Sequence, residues 1–572
     1  MRSLRVFTAT LLSGLAFSFM TMPADAQDPR PTTVAGRSTV YAPHGAIATS
    51  QPLATAAGLA VLQRGGNAID AAVTAAAVLN VVEPHMTGMG GDVFALVWSG
   101  SEQRLVGLNA SGRSGSLMTR EALLERGHDN VPVFGADPIT TPGALSGRVA
   151  LLERFGTLSL AEALAPAIAI AEEGFPVSPI IAAQWAREVE GLARDEGATR
   201  TFLLDGVRAP RTGETFSNPD LARTFRRVAA EGPAVLYGGS LGREIVDHVR
   251  SLGGFLTLED MASHQAEWVN PMSARYGDYS LWELPPNGQG IAALEMLEIL
   301  AGYDLKAMGH NSAAYLHHLI EATKLAFADL SAYVADPDFM TVDPEALLRD
   351  DFIRERRAQL DPTRALNRPA PGAVTTASET IYLSVADAEG NMISLINSVY
   401  EYFGSRVVVP GTGFVMQDRG AGFTLEEGHA NTVAPRKRPF HTLIPGFVTK
   451  RTASGDEPWL SFGVMGGSMQ PQGHVQVLLN LVEFGMDLQQ AIDAARYRVM
   501  GGLRVAIEPP VDEVVRAELE AMGHRVLDAA DYDESARAFV WRFGGAQAVM
   551  RVPGGWAAGS DPRKDGMAAG HE

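Results

Sequence analysis

Cysteine is absent from the sequence. That excludes disulfides, thiol nucleophiles and thiolate-bound metals, and leaves stability to the buried core. Positive charge is also scarce: 47 Lys and Arg stand against 66 Asp and Glu, a formal charge of −19. Nucleic acid and anionic membrane surfaces would be repelled, so neither is expected as a partner. Long apolar runs are missing beyond the N-terminus. The Ala-rich stretch at 68–82 is broken by Asp70 and Thr74 and ends at Glu83-Pro84, so no membrane span is expected there. Neither a GxSxG elbow nor a P-loop occurs.

The N-terminus has a pattern of its own. In MRSLRVFTATLLSGLAFSFMTMPADAQ, Arg2 and Arg5 precede an apolar run that ends at Ala24-Asp25-Ala26. This is the layout of a cleaved secretory signal, so residues 1–26 are expected to be removed and the product to be periplasmic or secreted. An exported chain without disulfides needs a large core, and 572 residues with 46% hydrophobic content supply one.

Residues 27–45 are polar and Pro-containing and are expected to be loosely held; the pattern tightens from Ala46. LATAAGLAVLQRGG (53–66) and NAIDAAVTAAAVLNVVEP (67–84) read as helices, the second apolar all round and therefore buried. HMTGMGGDVFALVW turns on glycines into a strand, residues 145–330 are mostly helical in pattern, and Tyr279 to Pro285 reads as a strand before the turn PPNGQG. Residues 360–379 form a Pro-, Ala- and Thr-rich linker, and a strand-rich stretch is expected from there to about residue 420.

In TTASETIYLSVADAEG (375–390), Ile381, Leu383 and Val385 alternate with Tyr382, Ser384 and Ala386, a strand signal followed by a turn and a second strand, NMISLINS. Thr380 opens this hairpin directly after the linker. A threonine hydroxyl needs a base, and an α-amine on the same residue, with a pKa of about 7.7–8.0, can serve. That amine exists only if the chain is cut before Thr380. An ordinary linker and strand give the same local pattern.

Distant segments separate the two readings. Glu379-Thr380 through Asp387, MGGS (465–468), SDPR (560–563), TGMGGDVF (87–94), TTPGALSG (140–147) and RKRPFHTLIP (436–445) resemble the gamma-glutamyltranspeptidase family, in the family's order, over about residues 35–565. The resemblance implies an α+β fold, the four-layer αββα sandwich of N-terminal-nucleophile hydrolases. It further implies a precursor that cuts itself between Glu379 and Thr380. The products would be residues 27–379 and 380–572, a large and a small subunit forming one αββα domain as a heterodimer, without a cofactor. Thr380 would be the nucleophile, Ser398 the hydroxyl that orients it, and Gly466 and Gly467 the oxyanion donors.

The substrate pocket departs from the well-studied transpeptidases. Their carboxylate-gripping arginine aligns with Ser111, and Arg113 follows two residues later. Their acidic residue for the substrate α-amine falls at Gly422, and the amide beside it at Arg419. Their paired serines become His441-Thr442, and an asparagine becomes Tyr400. Phe423 to Arg438 is shorter than in members with a lid loop. These changes resemble the cephalosporin acylase-like branch, whose substrates carry a glutaryl carboxylate without the α-amine. Arg113, Tyr400, Arg419, His441 and Thr442 are the expected substrate-binding residues, and Asp387 or Asp418 could substitute for the missing acid.

The expected activity is acyl transfer from a gamma-glutamyl amide such as glutathione, or a related amide, to water or an acceptor amine. The alternatives are a glutaryl-type amidase and, outside enzymes, an unprocessed binding protein that retains the fold. His317 and Glu321 have metal-ligand spacing on a helix, but no third ligand is evident and no metal is expected.

Overall fold

A computed structural model of the chain describes residues 36–367, 379–532 and 534–572. The expected signal and residues 368–378 of the linker, with Thr375, Thr376 and Ser378, lie outside the described residues.

Two seven-stranded antiparallel sheets pack face to face. In the first, Glu379–Ala386 lies between Gly45–Thr49 and Met392–Tyr400. Asp92–Ser99, Arg104–Ala110 and Glu267–Val269 follow, and Met567–His571 forms the other edge. The second sheet runs Val40–Ala42, Gly555–Ser560, Gly545–Val552, Gly455–Met465, Gly446–Thr452, Tyr279–Glu283 and Met272–Tyr276. Helices cover both outer faces: Ala68–Val82 packs on the first sheet, Gly290–Leu300 and Met469–Val482 on the second. The architecture is therefore the expected α+β sandwich. Among the described residues no helix is long and apolar enough to cross a membrane.

The local reasons are legible. Every residue of Ala68–Val82 is buried, as an all-round apolar helix requires. Asn67 caps it in a box with Asp70. The Asp387 carboxylate accepts from the Ala68 amide (2.8 Å), and from the Asn391 amide across the hairpin turn (2.9 Å). Asp387 is thus committed to a helix N-terminus and a turn, and does not replace the missing pocket acid. Both faces of the central hairpin are covered. Ser384 Oγ donates to Ser461 Oγ (2.6 Å) and Tyr382 OH bonds Ser394 Oγ (2.6 Å), so the polar alternates of the strand pattern face the other sheet rather than water.

Two expectations are corrected. Residues from Arg37 on are tied down: Val40–Ala42 pairs with Gly555–Ser560, and Arg37 donates to the Gly566 carbonyl (2.7 Å). The partners lie more than 500 positions away, beyond the reach of a local pattern. The strand-rich region ends at Tyr400, not near 420. Val407–Val409 reads as a strand, but positive φ at Phe403, Gly404, Arg406, Gly411 and Gly413 interrupts the chain, leaving only an isolated bridge from Val408 to Val415.

Candidate active site

Thr380 is fully buried in Glu379–Ala386, in a chain that is continuous from Glu379. Its strand pairs Glu379 with Tyr400 and Ile381 with Asn397. Thr380 therefore stands opposite two residues, Ser398 and Val399, a bulge of the kind that re-aims a side chain. Its hydroxyl has no hydrogen-bond partner among the described residues. Ser398 Oγ accepts from the Tyr400 amide (2.7 Å). Gly91, of the TGMGGDVF stretch, admits this close approach: a Cβ there would lie 2.2 Å from the Ser398 carbonyl.

Contacts between the sheets fix the other side of Thr380. Ser384 meets Ser461, and the Tyr382 ring covers Gly463, where a Cβ would lie 2.4 Å from the ring edge. Two residues further along the same face, Thr380 is directed toward the end of Gly455–Met465. There Gly466 and Gly467, at φ 121° and 60°, turn the chain into the Met469–Val482 helix. Such backbone is strained for other residues, and a helix N-terminus favours developing negative charge.

Arg419, Tyr400, His441 and Thr442 converge beside this point. Arg419 is fully buried, with its guanidinium 4.2 Å from the centre of the Tyr400 ring and Nη1 donating to Thr442 Oγ1 (3.0 Å). His441 accepts the Leu443 amide at Nδ1 (3.1 Å), so Nε2 carries the proton it shares with Asp92 (3.1 Å). Burial holds His441 well below its ordinary pKa, and the nearby Arg419 and Arg438 charges act in the same direction. Burial pushes Asp92 and Asp418 up to about 7, against the pull of Arg419. At Gly422 a Cβ would lie 2.6 Å from the Phe440 carbonyl, so the position lacks space as well as an acid.

Arg113 lies elsewhere. Its guanidinium meets Asp336 (2.9 Å), Glu267 (3.6 Å), Asp338 (3.8 Å) and the Arg436 carbonyl (3.2 Å), none of them a member of the Thr380 group. It lines a cavity of about 180 Å³ with Asp260, His264, Glu267, Arg436 and Arg438. Ser111 joins Asn109 (2.7 Å) and Asn287 (3.3 Å) in a buried network.

Sequence reasoning missed three residues. Asp92 sits in TGMGGDVF and receives His441; Asn287 and Gln289 sit in PPNGQG. Gln289 Nε2 donates to the carbonyls of Thr442 (2.6 Å) and Gly467 (2.8 Å), joining the pocket to the glycine pair. Two side-chain amides in one short turn, Asn287 and Gln289, were the available signal, since buried amides need partners. His524 was also missed: it joins His317 (2.8 Å) and Glu321 (3.8 Å) as a third potential ligand. The Lys324 ammonium already occupies this cluster, 2.7 Å from Glu321.

The comparisons bear on the family and the fold. The family model described as gamma-glutamyltranspeptidase matches residues 54–571. The glutathione hydrolase-like YwrD proenzyme of Bacillus subtilis is 38% identical, over 91% of this chain and 97% of its own length. The oxamate amidohydrolase proenzyme of Klebsiella pneumoniae is 35% identical, over 92% and 98%. The crystal structure of cephalosporin acylase from Bacillus halodurans superposes with a TM-score of 0.87 at 42% identity, covering 96% of this chain and 99% of that one. With its sandwich, its motif order and nearly its whole length matched, the chain belongs to the gamma-glutamyltranspeptidase family.

Proposed function

We propose that this protein is an exported, self-processing amidase and acyltransferase whose nucleophile is Thr380. In the precursor, Thr380 Oγ attacks the Glu379 carbonyl, the amide nitrogen takes the proton, and an ester forms. Water opens the ester, leaving a Glu379 carboxylate and a free Thr380 amine. That amine then accepts the Oγ proton as Thr380 attacks a substrate amide. The substrate amine departs with a proton, and water or an acceptor amine resolves the acyl-enzyme. Gly466 and Gly467 would donate to the oxyanion at each stage; one such donor is commonly worth about 10²–10³ in rate. Residues 27–379 and 380–572 remain together as a heterodimer.

The observation that carries this reading is the placement of Thr380: a buried residue at a bulge opposite Ser398 and Val399, two positions along its strand from Tyr382, which covers Gly463 of the opposite sheet. Relatives named as a glutathione hydrolase-like proenzyme, an oxamate amidohydrolase proenzyme and a cephalosporin acylase support acyl transfer from an amide of a small acid, gamma-glutamyl or glutaryl in type. The test is Thr380→Ala against wild type, on a denaturing gel and with acyl p-nitroanilides. The variant should remain one chain and turn over nothing. A cut, active Thr380→Ala protein contradicts the reading; an uncut wild type that binds amides without turnover makes it a binding protein.

A further inference from the structure

We propose that Arg419 is the receptor for a carboxylate on the acyl side of the substrate, so that the preferred substrates are amides of short dicarboxylic acids without an α-ammonium group. This rests on the amidase reading above and deepens it.

The geometry of one guanidinium carries the inference. Arg419 is fully buried, and Nη1 is held by Thr442 Oγ1 (3.0 Å). Nε and Nη2 have no hydrogen-bond acceptor among the described residues. These two nitrogens form one edge of the planar fork, the edge a carboxylate takes with two parallel hydrogen bonds. Asp92 does not fill it: its Oδ2 is 3.8 Å from Nε, while its own oxygens take the Gly112 amide (2.9 Å) and His441 (3.1 Å). Tyr400 supports the flat face of the guanidinium and fixes its plane. A buried cation with two unmet donors is costly without an anion, so an anionic ligand is the natural completion.

The location fits an acyl chain. Tyr400 follows Ser398 and Val399, the residues opposite Thr380, and the Asp418 amide bonds the Val399 carbonyl (3.3 Å). On the other side, Thr442 is tied through Gln289 to Gly467. Arg419 is thus linked through its neighbours both to the strand opposite Thr380 and to the glycine pair. An α-ammonium would be repelled by the guanidinium and would find no acid at Gly422, where there is no space to restore one. Arg113 is already engaged by Asp336 (2.9 Å).

The experiment uses the processed wild type, Arg419→Gln and Arg419→Lys, each checked for cleavage by mass. The substrates are three p-nitroanilides: glutaryl (carboxylate), γ-L-glutamyl (carboxylate and ammonium) and pentanoyl (neither). Wild type should favour glutaryl over both others by at least about tenfold. Arg419→Gln should lose about 100-fold in kcat/KM on glutaryl, mainly through KM, the scale of removing a buried charged partner. Its loss on pentanoyl should be at least about tenfold smaller than its loss on glutaryl. Arg419→Lys should fall between, since an ammonium keeps the charge but not the fork. Glutarate titrated by calorimetry should bind wild type and weaken at least about tenfold in Arg419→Gln, a readout that needs no turnover. Equal losses on glutaryl and pentanoyl, unchanged glutarate binding, or a γ-glutamyl preference in wild type would each overturn the proposal. An uncut or inactive wild type that still binds glutarate through Arg419 would instead overturn the amidase reading and leave the receptor standing.

Discussion

Thr380, Arg419, Asp92 and Asp418 are all buried, and each depends on a neighbour to decide its charge or reactivity. Asp418 gives a clean stability test. Its carboxyl is pushed up to about 7 by burial, so the folded state keeps a proton that the unfolded chain releases near 4. Between pH 4 and 7 the unfolded state therefore binds fewer protons, and rising pH takes stability away, levelling off above about 7. Asp418→Asn removes this penalty. Its advantage over wild type should grow across that window to at most about 4 kcal/mol, measured by denaturant unfolding at stepped pH. Activity carries the same signature with a second limb. The Thr380 amine must be neutral, so pentanoyl turnover should rise through about pH 8. Glutaryl turnover should bend down above about 7, as Asp92 and Asp418 ionise around Arg419 within a site also shared by Glu401, His441, Arg406 and Arg438. Matching pH profiles for the two substrates would contradict this. The place of Thr380 at the start of the central hairpin was legible in the sequence from the alternation that follows it. The working edge of Arg419 was not: a lone arginine shows its charge, but not which nitrogens its neighbours leave open.

Among elements, the central hairpin was read with its bounds nearly right, since Ile381, Leu383 and Val385 alternate as a strand requires. Its bulge was not, because it depends on a pairing between Glu379 and Tyr400 that no local pattern encodes. The bulge works only if the second sheet comes close at Gly463. Gly463→Val should push Tyr382 and the strand outward, cost about 1–3 kcal/mol and slow self-cleavage, followed by gel after rapid dilution from denaturant. A buried cluster grips the first residues of the expected linker. His317 bonds the Asp361 carbonyl (2.7 Å), Lys324 the Leu366 carbonyl (3.0 Å) and Glu321 the Leu366 amide (2.9 Å). Lys324→Met would leave Glu321 buried without its counter-charge, at about 3–5 kcal/mol. Limited proteolysis near 361–367 should then accelerate; unchanged digestion would mean the grip is unimportant.

At the scale of the molecule, the cut would fall inside a sheet that both products share. Residues 380–386 and Met392–Tyr400 would belong to the small chain, while their outer neighbours Gly45–Thr49 and Asp92–Ser99 would belong to the large one. Separation would break five strand pairings and expose the core between the sheets, so the products should co-elute until denatured. The helices Pro52–Gln63 and Ala68–Val82 and the central hairpin were legible from periodicity, while the sandwich itself followed from the family resemblance. The closure by Val40–Ala42 on Gly555–Ser560 was not, because it joins the two ends of the sequence.

The central claim is that Thr380 becomes a chain terminus, and the mass of the purified wild-type protein tests it most directly. The account predicts two chains, one of them residues 380–572 beginning with an unmodified threonine. A single intact chain, or a small chain beginning at any other residue, would contradict it.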